Sequence, residues 1–168
     1  DYTKNRYKQK IKKQSLSDFV KNFENYGTDE KISSLLDISK YPISTLTFIA
    51  DIYVQNGNFS EAIKIYLTIL DKTQNLGKKI QVLELLGVTY YKAGFMQRAK
   101  NIFIEILKNN PRNTKVLLLL VQTYEILGEY KNALSVLSCL EELDEKVDEV
   151  KKYIQILILI NDSLMPLN

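Results

Sequence analysis

The side chains that could carry chemistry are few, and their types narrow the options quickly. The chain of 168 residues contains no histidine, so neither a serine-histidine nucleophile, nor an imidazole base, nor a His-containing metal site can be built from it. Cys139 is the single cysteine. It cannot form an internal disulfide or a paired Cys-x-x-Cys metal knuckle, and it reads as a small buried residue on a helix. Glu141, Glu142, Asp144 and Glu145 form an acidic stretch, with Asp148 and Glu149 close behind. Paired carboxylates can act as acid and base, but these sit between two apolar-periodic segments, where a solvated turn is the expectation. Asn58-Phe59-Ser60 and Asn161-Asp162-Ser163 match a glycosylation acceptor without a secretory signal beside them, and are read as chance matches. The residues therefore predict a protein that is not an enzyme and takes no cofactor.

Charge is unevenly placed. The net charge of +3 comes from Lys4, Arg6, Lys8, Lys10, Lys12 and Lys13, against Asp1 alone in that segment. The remainder is mildly acidic, which argues against a nucleic-acid groove, since that would need basic residues spread along the body. A basic segment suits a solvated helix, or a position just inside a membrane if a spanning helix precedes residue 1. An apolar run such as Ile156 to Ile160 is far short of the roughly 20 residues needed to span a bilayer.

The elements that must position these side chains announce themselves by repetition. Gly57-Asn58-Phe59-Ser60-Glu61-Ala62, Gly94-Phe95-Met96-Gln97-Arg98-Ala99 and Gly128-Glu129-Tyr130-Lys131-Asn132-Ala133 share a glycine and an alanine in register, with an aromatic residue two places after the glycine in the first and third and one place after it in the second. Aligning them brings Leu46, Leu83 and Leu117 together, then Ile49, Leu86 and Leu120, then Ala50, Gly87 and Val121, then Tyr53, Tyr90 and Tyr124. After the alanine come Tyr66, Phe103 and Leu137, then Ile69, Ile106 and Leu140. A period of this length means stacked units, each too small to bury its own apolar face. Each glycine follows a first helix, where a left-handed residue ends the helix cheaply. Ala50 and Gly87, facing Ala62 and Ala99, are the small residues that let two helices approach.

This pattern resembles the tetratricopeptide repeat, a helix-turn-helix unit of about 34 residues, and the resemblance covers roughly 43 to 145. It implies an all-α, right-handed superhelical solenoid. The expected organisation is a basic helix with a helical cap or degenerate repeat over 1–42, three repeats at about 43–79, 80–113 and 114–147, and a C-terminal helix within 146–168. Helices are expected at 43–55, 59–72, 79–93, 96–109, 114–127, 130–142 and 146–161. The middle unit matches best, while the first is stretched by an insert, Asn75 to Lys79.

In that family the first helix of each unit lines the inner surface. By spacing those residues are Ser44, Thr47, Asp51 and Gln55, then Gln81, Glu84, Val88 and Tyr91, then Lys115, Leu118, Gln122 and Glu125, and finally Lys152, Ile156 and Leu159. Thr47, Asp51, Glu84, Val88, Tyr91, Leu118, Gln122 and Ile156 are the candidate partner-binding residues. Some relatives clamp a chaperone tail's carboxylate here with positive and amide side chains. Thr47, Asp51, Glu84 and Val88 are the wrong chemistry for that, so the expected partner is a protein helix or extended segment held by apolar anchors. The helix at 146–161 is apolar almost all round, which predicts that it needs cover from further chain or from a second copy in a homodimer.

A narrower resemblance lies in Leu85 to Ala99, which is similar to the corresponding unit of lipopolysaccharide assembly protein B. That family implies a membrane helix ahead of a basic start, a cytoplasmic repeat array, and an adaptor that presents a lipid A deacetylase to a membrane protease. It would place this chain in the cytoplasm at the inner face of a bacterial membrane. The metal knuckle of that family has no counterpart here. The alternative is a scaffold in a secretion, motility or other assembly.

Overall fold

The computed structural model describes residues 40–143 and 145–165, and within them the secondary structure is helical with no strand. The elements are α1 (Ile43–Gln55), α2 (Phe59–Lys72), α3 (Leu76–Lys92), α4 (Met96–Asn109), α5 (Thr114–Leu127), α6 (Tyr130–Glu142) and α7 (Asp148–Leu164). Each packs on its sequence neighbours, giving three hairpins, α1/α2, α3/α4 and α5/α6, and then α7 laid on α6. Expectations for residues 1–39 lie outside the described residues.

The three glycines act as the sequence suggested. Gly57, Gly94 and Gly128 have φ of 76°, 84° and 72°. Nothing lies within 4 Å of where a Cβ would stand at any of them, so glycine is needed for its backbone conformation and not for space. At each, the residue after the glycine donates its N–H to the carbonyl five residues back: Asn58 to Tyr53 at 2.8 Å, Phe95 to Tyr90 at 2.9 Å and Glu129 to Tyr124 at 2.8 Å. The glycine N–H bonds Val54, Tyr91 and Glu125 in turn. Two orphan carbonyls are thereby satisfied at every turn, and the same reversal is stamped three times.

Gly87 is glycine for the opposite reason. A Cβ there would stand 2.7 Å from Cε1 of Phe103 and 3.0 Å from Cγ2 of Ile102, so α3 and α4 touch backbone to ring. The aligned pairs trade volume: Ala50 with Tyr66, Gly87 with Phe103, and Val121 with Leu137, all buried. The third unit, which has the largest first residue, has the smallest second one. This is why the third unit tolerates valine where a small residue was expected.

The core runs the length of the array. One buried set joins α1 to α5 around Leu46, Tyr66, Leu86 and Phe103, a second joins α5 to α7 around Leu137, Leu140 and Ile154, and Leu107, Tyr124 and Val136 pack on both.

Three expectations are corrected. The helix expected to start at 79 starts inside the insert: the Asn75 side chain accepts the N–H of Lys78 at 3.0 Å, capping α3, so Leu76 to Lys79 are its first turn. An Asn at the N-cap satisfies an otherwise orphan donor, and that signal starts the helix three residues before the expected 79. The last helix is shifted too, running 148–164 instead of 146–161. Cys139, read as buried, is exposed, because α6 buries Ala133, Leu137 and Leu140, a stripe that leaves residue 139 on the outer side.

Candidate partner-binding face

Polar side chains tie successive units together on the side formed by the first helices. Asn113 caps α5 by accepting the Val116 N–H at 3.2 Å, and its amide donates to Oε1 of Glu84 on α3 at 2.8 Å. Lys115 reaches the other Glu84 oxygen at 3.5 Å. Asp51 accepts the Tyr66 hydroxyl at 2.7 Å, and Thr47 spends its hydroxyl on the Ile43 carbonyl of its own helix at 2.9 Å. Burial and the neighbouring Asp51 carboxylate push the Tyr66 phenol far above the ordinary tyrosine value. Elsewhere Lys100 pairs with Glu129 at 2.7 Å while lying over the Tyr124 ring. That ammonium, with the Asn132 amide, holds the Glu129 carboxyl below its usual range.

The eight candidate residues thus fall into two groups. Thr47, Asp51 and Glu84 are half-buried and already bonded within the protein, and Val88 and Tyr91 are half-buried. Leu118, Gln122 and Ile156 are exposed. Leu118 and Gln122, with Val121 and Glu125 of α5, form one wall of a cleft of about 440 Å³. Its other wall is Lys146, Val147, Glu149, Val150 and Tyr153 at the start of α7, and Leu137 also lines it. Glu125 and Tyr153 both line it, and the neighbouring Glu125 carboxylate raises the Tyr153 phenol.

Sequence spacing had put Lys152 and Ile156 in this position. Tyr153 and Val150 are there because α7 buries Ile154, which turns the helix so that its neighbours at 150 and 153 flank α5. One residue in a helix is about 100° of rotation, so a small change of packing changes which side chain enters the cleft. The signal that could have found them is the Ile154, Leu157, Ile158 spacing, which marks the packed stripe.

Exposed apolar residues concentrate at this end. Val150, Tyr153, Ile156, Leu159, Ile160 and Leu164 on α7 are all exposed, as are Leu118 and Ile126 on α5. Among the described residues no group of three or more acidic or cysteine side chains is placed to hold a metal ion. No helix among them is long and apolar enough to cross a membrane.

Comparisons with known proteins agree with this geometry. The family model described as tetratricopeptide repeat matches residues 45–80, which is the first unit and not the middle one that looked most regular. The crystal structure of yeast Tom70 superposes with a TM-score of 0.62 at 19% identity, covering 71% of this chain and 25% of that one. A mutant of MamA gives a TM-score of 0.62 at 20% identity, covering 80% of this chain and 74% of that one. This chain therefore spans about a quarter of the Tom70 chain. Repeat, glycine turns and superposition converge on one conclusion, that the fold is an all-α solenoid of tetratricopeptide-type helical hairpins.

Proposed function

We propose that this protein is a non-catalytic adaptor that binds a protein segment on the face presented by its first helices. The observation that carries this reading is the cleft between α5 and α7, with exposed Leu118, Val150 and Tyr153 around it. Large exposed apolar groups gathered at one place mark an interaction site. In this reading residues 43–145 are the array, 1–42 a leading basic segment and cap, and 146–168 the closing helix.

Site-specific photo-crosslinking tests it. A crosslinker at Leu118, Gln122 or Ile156 is expected to trap a partner that a crosslinker at Leu67, exposed on α2, does not. Equal trapping from both positions would remove the assignment to this face. Leu118→Glu should weaken capture with the fold intact, because Leu118 is exposed.

A narrower reading, an adaptor in lipopolysaccharide assembly held at the inner face of a bacterial membrane by an anchor ahead of residue 1, rests on the resemblance of residues 85–99. Recovery of a membrane protease or lipid A enzymes in the crosslinked material supports it, and recovery of unrelated partners favours a scaffold of another assembly. The apolar surface of α7 also supports a second reading, a homodimer through that helix, which sedimentation velocity reads directly.

A further inference from the structure

The three glycine turns share one backbone but not one set of side chains. Aligned on Gly57, Gly94 and Gly128, the place two residues before the glycine holds Gln55, Lys92 and Ile126. The place after it holds Asn58, Phe95 and Glu129, and the place four after it Glu61, Arg98 and Asn132. Lys, Phe and Arg thus come together in the middle unit alone. The turn does not require them: Asn58 and Glu129 adopt φ of −84° and −85° and ψ of 64° and 56°, against −85° and 65° for Phe95. Phe95 is nevertheless 52% exposed, an apolar ring in water at a place where asparagine or glutamate serves the fold equally.

A single exposed ring is ordinary on a protein surface, but the surroundings of this one are not. The buried Tyr90 ring stands edge-on to Phe95, with centroids 6.3 Å apart at 84°. The Arg98 guanidinium lies 5.7 Å from the Tyr90 centroid and 5.6 Å from that of Phe95. Ring contact holds a guanidinium in place while leaving its N–H donors unspent. Neither Arg98 nor the exposed Lys92 has an acidic partner among the described residues. Residues 85–104 include Lys92, Arg98 and Lys100 and no acidic residue, and Lys100 is already paired with Glu129. Phe95 and Ala93 also wall a cleft of about 370 Å³ whose other side is the first turn, Gly57 to Glu61. The carboxylate in that lining, Glu61, is held by Lys64 at 2.8 Å.

We propose that this turn edge is a separate interaction surface that takes an acidic segment of a partner protein, with a large apolar residue beside its carboxylates. The apolar side chain enters the cleft against Phe95, and the carboxylates meet Arg98 and Lys92. Two unpaired cations set the partner's sign, and a guanidinium held against rings reaches a carboxylate in a paired, bidentate geometry at little cost in ordering. Single-stranded nucleic acid also stacks on rings and pairs with arginine, but it calls for cations along a groove, and here Glu61 lies in the cleft instead. None of the residues of this surface lines the cleft between α5 and α7, so it stands or falls independently of that face.

The test uses the full chain and four fluorescent probes in anisotropy titrations. They are the peptide Gly-Glu-Phe-Glu-Glu-Gly, the same peptide with glutamine for each glutamate, the same with alanine for phenylalanine, and an oligothymidine of about ten nucleotides. The first should bind at least about tenfold tighter than each of the others, a difference of about 1.4 kcal/mol. Phe95→Asn, which installs the residue of the first turn, and Arg98→Gln should each weaken it by a similar factor, and Leu118→Glu on α5 should leave it unchanged. Thermal melts verify that each variant is folded.

Equal binding of the glutamine peptide overturns the charge, and equal binding of the alanine peptide overturns the role of Phe95. Tighter binding of the oligothymidine makes the surface a nucleic-acid contact and the proposal fails. Indifference to both Phe95→Asn and Arg98→Gln overturns the location, and no binding of the acidic peptide overturns the surface altogether. Each of those results leaves crosslinking from Leu118, and with it the adaptor reading, untouched.

Discussion

Replacing Gly87 by alanine sets two opposed effects against each other at one atom. Gly87 lies inside α3, where exchanging glycine for alanine favours a helix by about 1 kcal/mol. The new Cβ would stand 2.7 Å from Phe103 Cε1 and 3.0 Å from Ile102 Cγ2, well inside van der Waals contact. Phe103 is fully buried, so its ring cannot swing into solvent, and relief requires α4 to move away from α3. Overpacking of this kind costs about 1–3 kcal/mol. The net expectation is a loss of up to about 2 kcal/mol, or up to roughly 4–8 °C in Tm for a chain of this size.

Trimming the ring distinguishes a local clash from a general intolerance. Phe103→Leu removes the ring-edge atom that the Cβ meets, so the double variant should be more stable than the sum of the two single changes, with a coupling of about 1 kcal/mol. Urea denaturation of the four proteins supplies the cycle. A Gly87→Ala protein that melts above wild type, or additive single effects, would refute the argument that close helix approach at this point dictates glycine.

Other expectations follow from single contacts. Asn113→Ala removes the cap of α5 and one partner of Glu84, and should cost about 1–2 kcal/mol by urea denaturation. Tyr66 has a raised pKa, so the protonated phenol is favoured in the native state. Its contribution is complete below about pH 10, where an unfolded tyrosine begins to ionise, and falls as pH rises further; Tyr66→Phe should flatten that alkaline loss in urea midpoints. Glu129 has a lowered pKa, so its smaller contribution, below about 1 kcal/mol for this partly exposed pair, is present above the usual carboxylate range. It disappears as pH falls through the native value, and midpoints of wild type and Glu129→Gln should converge on acidification. Cys139 should react with a thiol reagent in the folded protein about as fast as after denaturation; slow reaction in the native state would contradict its exposure.

The fold was legible because it depends on local, repeated signals. A glycine after a helix, an alanine five residues later and a tyrosine four residues before the glycine specify a turn and two packed faces without reference to anything distant. Helix ends marked by those glycines fall where expected. The start of α3 was missed because its cap, Asn75, resembles a loop residue until its side chain is seen to accept the Lys78 N–H. The candidate face was only partly legible. Spacing placed Thr47, Asp51 and Glu84 on the first helices, but not that Ile43, Tyr66, Asn113 and Lys115 already occupy their polar groups.

What the sequence determined by itself is the repeat, its turns and the residue types of its core, because those follow from nearest-neighbour periodicity. Tertiary structure alone decided which side chains remain available. The rotation of α7 that seats Ile154 in the core also brings Val150 and Tyr153 into the cleft. The stripe that α6 buries leaves Cys139 outside. Both are choices of helix azimuth, which packing fixes to within a residue and which a 34-residue period cannot.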